Sequence, residues 1–321
     1  MSTAKKKTRL VRIVEQEELT RSVSWEEALQ EFLLLKKAEG KSERTIKDYG
    51  YHIKHFFRLY PDTDLADAGI LKRRIIDYMA EEVKPAYYNN KLVYMKTFFN
   101  WCVKERVLIE NPVKEFKRRK ADERIVQFDL ELLKKLLAIP DQSTYPGLRD
   151  YALLLLQLDS GIRPKEALSL LISDVNFKSL EVYIRAENAK TRVSRTLPIS
   201  PITAKAIQKL INVRPSDWND VPIFCSCEGN KMLGNTWYKR LSKYGEKLGT
   251  KLYPYQLRHT FALEFLRNGG NSFALQKTLG HADLNMTKRY VSLADNDVKS
   301  QHLIASPVSK LVQQSSRVGK I

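Results

Sequence analysis

Cationic side chains beside polar turns, followed late in the chain by a tyrosine, are the residues here whose types and spacing suit chemistry. Arg163 follows Ser160-Gly161-Ile162, and Lys190 lies within Glu187-Asn188-Ala189-Lys190-Thr191. Arg258 sits in Gln256-Leu257-Arg258-His259-Thr260, His281 closes Leu279-Gly280-His281, and Tyr290 ends Thr287-Lys288-Arg289-Tyr290. Guanidiniums are planar, two-pronged donors that fit phosphate or carboxylate oxygens without a metal. A phenol is mostly protonated near neutral pH, so it attacks only as it gives up its proton.

The other common catalytic patterns are missing from the sequence. It has no Walker loop, dinucleotide glycine fingerprint, zinc-protease helix or nucleophile elbow. None of the five histidines forms a metal-like i, i+4 pair, so the reading contains no metal site. Cys102, Cys225 and Cys227 make no disulfide framework, and Cys-Ser-Cys matches no usual zinc spacing, which places the chain in a reducing cytosol. With 43% hydrophobic residues the 321-residue chain can bury cores and is long enough for two domains. Its formal charge of +18 points to a polyanionic partner, because Lys and Arg that neutralise phosphates release counterions. No apolar run reaches membrane-span length, and the basic start carries no secretory signal.

The elements that must position these residues follow from periodicity and caps. Residues 1–23 read as a flexible basic arm. Ser24 and Glu27 form a capping box that opens a helix ending near Gly40. Further helices are expected from Ser42 to Pro61, over 70–82 and from Pro85 to Lys104, so 24–110 reads as a helical domain. The segment 111–125 is a basic linker whose Lys114, Lys117, Arg118, Arg119, Lys120 and Arg124 suit a path along phosphates, or a solvated connection. A second domain covers 126–300. In it Asp129 caps a helix to Leu137, an apolar helix runs over 149–158, and strands 180–185 and 194–199 form a hairpin around Lys190. Helices are expected over 201–212, 234–248, 256–268, 272–279 and 284–293. The fold class is mainly α with a small β-sheet.

These motifs, in this order and at these separations, resemble the tyrosine recombinases, the phage-integrase or Xer-like family. Ser160 to Ala167 resembles the family's first arginine box. Gln256 to Thr260 with Leu279 to His281 resembles the second box, and Tyr290 stands where the nucleophile is placed. Ala189-Lys190-Thr191-Arg192 is similar to the stretch with the catalytic lysine. The likeness covers about 125–300, and the helical domain matches the family's core-binding (SAM-like) domain in size and position.

The resemblance implies that Arg163 and Arg258 bind the non-bridging oxygens of a scissile phosphate and that Lys190 protonates the leaving 5′ oxygen, with Lys165 and Arg192 as rival candidates. It implies that Tyr290 is the nucleophile, with its pKa lowered by nearby cations, and that His281 bonds a phosphate oxygen. Glu166, Tyr255 and His259 are expected to support them, Glu166 by orienting Arg163. One position departs from the family: Tyr255 stands where it usually has the histidine assigned the base role, and a phenol accepts a proton poorly near pH 7. Either that change is tolerated, or His281, His259 or water takes the proton.

The implied architecture is a two-domain clamp on double-stranded DNA, working as a homotetramer in the synapse with no cofactor. Accessory DNA-bending or directionality proteins are expected partners, and the setting is a bacterial-type cytoplasm at the nucleoid. Strands exchange through a 3′-phosphotyrosine and a Holliday junction. The 194–198 run and Lys190-Thr191 point to integration or excision of a mobile element; an Xer-like chromosome or plasmid dimer resolvase is the alternative. A non-catalytic DNA-binding protein on the same scaffold is a further rival. The tail 301–321, with Leu303, Ile304, Val308 and Leu311, either docks on a neighbouring protomer or frays.

Overall fold

The computed structural model describes residues 21–120, 128–218, 220–281, 283–293, 302 and 306–311. Residues 1–20 of the arm expected at 1–23, Arg124, and the tail residues Leu303 and Ile304 lie outside the described residues. The chain divides into two compact units, Met1–Glu123 and Arg124–Ile321.

Unit 1 contains α1 (Trp25–Ala38), α2 (Glu43–Leu59), α3 (Ala68–Ala80) and α4 (Pro85–Lys104). Each begins where the sequence offers a start signal. Ser24 and Glu27 complete a reciprocal capping box on α1, Ser42 caps α2, Asp67 caps α3, and Pro85 occupies the first turn of α4. The Asp67 cap starts α3 two residues ahead of the expected 70–82 helix. Phe32, Phe56, Phe57, Phe98, Phe99 and Trp101 fill the core. Truncating one of these rings to alanine removes its transfer energy and leaves a cavity, a cost of about 3–5 kcal/mol. The basic segment 111–120 is fastened to this unit. Val113 is fully buried, Asn89 exchanges two hydrogen bonds with the Arg119 backbone, and the Arg119 guanidinium lies 3.8 Å from the centre of the Tyr88 ring.

Unit 2 is built around α6 (Tyr145–Ser160), whose apolar run packs against α8 (Pro201–Asn212) and α10 (Pro254–Arg267). Helix α5 (Leu130–Ala138) precedes α6, and the short α7 (Pro164–Ala167) follows it. Helix α6 exceeds the expected 149–158 at both ends, because Thr144 caps it, Pro146 sits in its first turn and Gly161 terminates it. A three-stranded antiparallel sheet comprises β1 (Val175–Asn176), β2 (Glu181–Ile184) and β3 (Arg195–Pro198), in that order. The expected hairpin is β2–β3, with Val182 opposite Leu197; β1 has too few residues to show an alternating pattern in sequence. Helices α9 (Gly234–Lys247), α11 (Ser272–Leu279) and α12 (Leu284–Leu293) complete the unit, with a helical turn at Val308–Leu311. Trp237 of α9 is fully buried, and its indole N–H donates to Gln157 on α6 at 2.7 Å. A smaller apolar cluster joins α10, α11 and α12 through Phe261, Leu263, Leu266, Leu275, Leu279 and Tyr290. No helix among the described residues is long and apolar enough to cross a membrane.

Candidate active site

Two helix ends form the frame of the site. Helices α6 and α11 both stop at a glycine in the left-handed region, Gly161 at φ 61° and Gly280 at φ 62°. Only glycine adopts that conformation without strain, and a Cβ on Gly161 would fall 2.3 Å from the Phe261 ring. Each turn sends a carbonyl to the arginine associated with the other. Arg258 on α10 donates through Nη1 to the Gly161 carbonyl at 2.7 Å and through Nη2 to Leu279 at 2.8 Å. Arg163 donates through Nη2 to the Gly280 carbonyl at 3.1 Å. The two boxes that the sequence sets about a hundred residues apart therefore meet.

The electrostatics at this junction are unbalanced. Glu166 is buried and holds Arg163 through a 3.0 Å contact between Nη1 and Oε1. Arg195 on β3 grips the same carboxylate with both prongs, at 3.1 and 2.7 Å, and donates through Nε to the Thr278 carbonyl. Burial alone would raise the Glu166 pKa; the Arg195 and Arg163 guanidiniums outweigh it and hold the carboxyl below its usual range. Among the described residues Arg258 has only neutral hydrogen-bond partners, and it is 3% exposed. Burial, with repulsion from Arg163, pulls it down to about 10, so it keeps its charge at neutral pH. A buried cation without a carboxylate against it is an anion site in waiting.

The histidines have distinct settings. Arg258 Nη2 lies 3.1 Å from His281 Nε2, and because a guanidinium can only donate, Nε2 is the acceptor. The ring proton is then on Nδ1, which faces the buried Thr287 hydroxyl at 3.1 Å. Burial first, then Arg258, Arg163 and Arg195, push His281 down to about 4, in keeping with a neutral ring. His259 Nδ1 lies 2.7 Å from the Tyr290 hydroxyl. Burial and Arg258 lower the His259 pKa, and burial raises that of Tyr290. Both groups therefore stay neutral, and in the Nε2–H tautomer of His259 the phenol donates to Nδ1. This corrects the expectation that nearby cations lower Tyr290: Arg258 and Arg289 do pull it down, but the loss of water outweighs them.

The remaining expected residues are placed differently. Tyr255 lies in the first turn of α10 with 53% of its surface exposed, and its neighbour Gln256 makes the turn's capping contact to the Tyr253 backbone N–H. Lys190 is exposed on the β2–β3 loop; its rivals, Arg192 on the same loop and Lys165 on α7, are exposed too. In the basic segment, Lys114, Lys117, Arg118 and Lys120 are exposed, while Arg119 also donates to the Met79 carbonyl. Two residues of the junction escaped the sequence reading. Arg195 shares its strand face with buried Leu197, and a charge on an inward face is the signal that it has a partner. Thr287 precedes Tyr290 by three residues and so shares its helix face. Cys225 is buried beside the Tyr145 hydroxyl at 3.0 Å, away from these residues in sequence and in contacts.

The sequence profile of the Phage integrase family matches residues 127–297. The chain is 28% identical over 296 residues to tyrosine recombinase XerA of Pyrococcus horikoshii, covering 89% of this chain and 94% of that one. It is 27% identical over 275 residues to tyrosine recombinase XerC of Salmonella typhi, covering 83% and 90%. Among solved structures, a lambda integrase dimer bound to a COC′ core site aligns with TM-score 0.70 at 18% identity. That alignment spans 84% of this chain and 77% of the other, and is a likeness of fold.

Proposed function

Since the chain belongs to the phage integrase family, we propose that Tyr290 cleaves one strand of double-stranded DNA while Arg163 and Arg258 hold the scissile phosphate. The protein is a site-specific tyrosine recombinase. The Tyr290 oxygen attacks phosphorus, the bond to the 5′ oxygen breaks, and a 3′-phosphotyrosine conserves the bond energy. The phenol proton passes to His259 Nδ1 as the new bond forms. The ordinary values of imidazole, near 6.5, and phenol, near 10, make transfer before attack uphill, so the proton leaves during it. Lys190 gives a proton to the departing 5′ oxygen. Arg163 and Arg258 neutralise charge gathering on the non-bridging oxygens, and His281 steadies Arg258 by accepting from its Nη2. Attack by a 5′ hydroxyl of a second duplex reverses these steps and exchanges the strand.

The observation that carries this reading is a buried Arg258 with no carboxylate bonded to it among the described residues, in the same packed group as a tyrosine whose hydroxyl lies 2.7 Å from His259 Nδ1. We assign unit 1 to core binding, the exposed lysines of 111–120 to flanking phosphates, and four protomers to the synapse, in a bacterial-type cytoplasm at the nucleoid. Integration, excision and dimer resolution share this chemistry and differ in where the two sites lie. Lys190-Thr191 and the 194–198 run favour a mobile element, with accessory proteins setting direction. Dimer resolution is the second reading, favoured by the near end-to-end similarity to XerA and XerC.

The test is covalent trapping. Wild type and Tyr290→Phe meet a randomised library of nicked suicide duplexes in EDTA, followed by denaturing gels and sequencing. Adducts with wild type alone are expected, and the attached DNA reveals the target. Salt-sensitive binding without adducts would shift the reading to a non-catalytic DNA-binding protein.

A further inference from the structure

We propose that Arg195 is a positioning residue that keeps Arg163 available to the phosphate by occupying the Glu166 carboxylate. This rests on the phosphate-binding reading of Arg163 and Arg258. The contacts rank the two partners of Glu166. Arg195 binds fork to fork, with Nη2 on Oε2 at 2.7 Å and Nη1 on Oε1 at 3.1 Å. Arg163 reaches the carboxylate with one side-chain prong, Nη1 on Oε1 at 3.0 Å, and its backbone N–H takes a share of Oε2 at 3.2 Å. Its other prong is on the Gly280 carbonyl, a neutral acceptor that a phosphate oxygen outcompetes.

Charge counting gives the consequence. Arg163, Arg195 and Glu166 together carry one net positive charge, which remains for an anion. Without Arg195 the pair sums to zero, and a buried carboxylate would close fork to fork on Arg163, the one cation left within bonding distance among the described residues. Arg195 also ties three catalytic segments together. It stands where the loop that bears Lys190 rejoins β3, grips the first arginine box through Glu166, and donates to Thr278 just ahead of Gly280 and His281. Its side chain lies against that last turn, where a Cβ on Gly280 would come within 3.1 Å of Arg195 Nε.

Inorganic tungstate, a tetrahedral dianion, tests the charge balance without needing a DNA site. It is titrated calorimetrically into the full-length protein, with Arg258→Met reporting binding elsewhere on this basic chain. Arg195→Gln keeps hydrogen-bonding capacity and removes the charge. It is expected to weaken the site about tenfold, the size of one unit charge acting on a dianion from about 10 Å away at an effective dielectric near 20 and screened over about one Debye length in roughly 0.1 M salt. Adding Glu166→Gln should restore affinity to within about threefold of wild type, a non-additivity that a purely structural tether would not give. Arg195→Lys, which retains the charge but not the fork, should stay within about threefold. Additive losses in the double variant, unchanged binding in Arg195→Gln, or a tenfold loss in Arg195→Lys would each overturn the proposal. Wild type that binds tungstate yet never forms a DNA adduct would instead overturn the recombinase reading and leave the Arg195 result standing.

Discussion

Unit 2 buries two clusters of arginines, and they are built on opposite plans. The first surrounds Asp150, which is fully buried on α6. Arg149 donates to one carboxylate oxygen through Nε and Nη2, at 3.1 and 2.9 Å. The other oxygen accepts from Arg240 Nε and from the Tyr244 hydroxyl at 2.6 Å, and Arg149 Nη1 ends on the Cys225 carbonyl. Both carboxylate oxygens are saturated, and the cluster joins α6 to α9. Among the described residues the second cluster has one carboxylate, Glu166, under Arg163 and Arg195, while Arg258 is left with carbonyls and a neutral imidazole. A closed cluster spends its electrostatics on the fold. By count each leaves positive charge over, and in the closed cluster it rests on Arg240, whose side chain is 32% exposed to water. An open one holds a buried charge, on Arg258, in reserve for something that is not protein, and that difference separates a structural ion network from a site.

That contrast is broken most sharply by emptying each cluster of its central residue. Arg258→Met removes a buried charge and three neutral hydrogen bonds. The relief and the loss offset to within about 1 kcal/mol of stability, while strand cleavage should fall by about a thousandfold or more. Asp150→Asn leaves Arg149 and Arg240 without a countercharge and should cost about 3–5 kcal/mol in urea unfolding. Its cleavage rate per folded molecule should stay within about threefold of wild type, because sites without shared partners act nearly independently. Equal stability losses in both variants would erase the distinction.

The open cluster also has a pH signature. His259 must be neutral to accept the Tyr290 proton, and burial keeps its pKa below the ordinary value near 6.5. Wild-type cleavage should therefore hold steady through neutral and mildly alkaline pH and decline only as pH falls below that value. His259→Ala removes the acceptor. Its rate at neutral pH should drop about a hundredfold or more and then climb about tenfold per pH unit as hydroxide takes over. Single-turnover cleavage of a nicked duplex across pH reads both profiles. A His259→Ala profile parallel to that of wild type would return the proton to another acceptor.

The same contrast explains what could be read from sequence. The helices were legible because caps and punctuation are local: Ser24 with Glu27, Ser42, Asp129, and Gly40, which follows α1. Arg163, Arg258, His281 and Tyr290 could be picked out because the motifs around them resemble, in order and separation, those of the tyrosine recombinases. What escaped depends on tertiary approach. Arg195 looks like one more surface cation in a hairpin until β3 sets it opposite Glu166, and Thr287 gains its role only when His281 faces it. The closed cluster was illegible for the same reason, since Asp150 and Tyr244 are 94 residues apart and have no motif between them. The direction of the Tyr290 shift was misread because sequence shows neighbouring charges but not the loss of water.

Tyr255 gives the smallest effect and tests how far the open cluster extends. Three residues ahead of Arg258, it lies near one turn away on α10, yet more than half of its surface faces solvent. No hydrogen bond among the described residues fixes its hydroxyl, whereas His259 on the same helix already bonds Tyr290. If proton removal belongs to His259, the hydroxyl of Tyr255 adds at most one donor to a phosphate oxygen in a wet setting, a contribution of about 0.5–1.5 kcal/mol. Tyr255→Phe should then slow cleavage by less than about tenfold. Tyr255→His, which restores the family's usual residue, should change the rate at pH 7.5 by a similar factor and add a modest gain below pH 6.5, where the new imidazolium becomes a charged donor. Single-turnover cleavage at the two pH values decides the matter. An increase of a hundredfold or more at pH 7.5 would mean that the missing histidine was the proper base and that the His259–Tyr290 bond is a resting contact. An effect confined to acid pH would place Tyr255 at the rim of the phosphate site, with the proton chemistry inside.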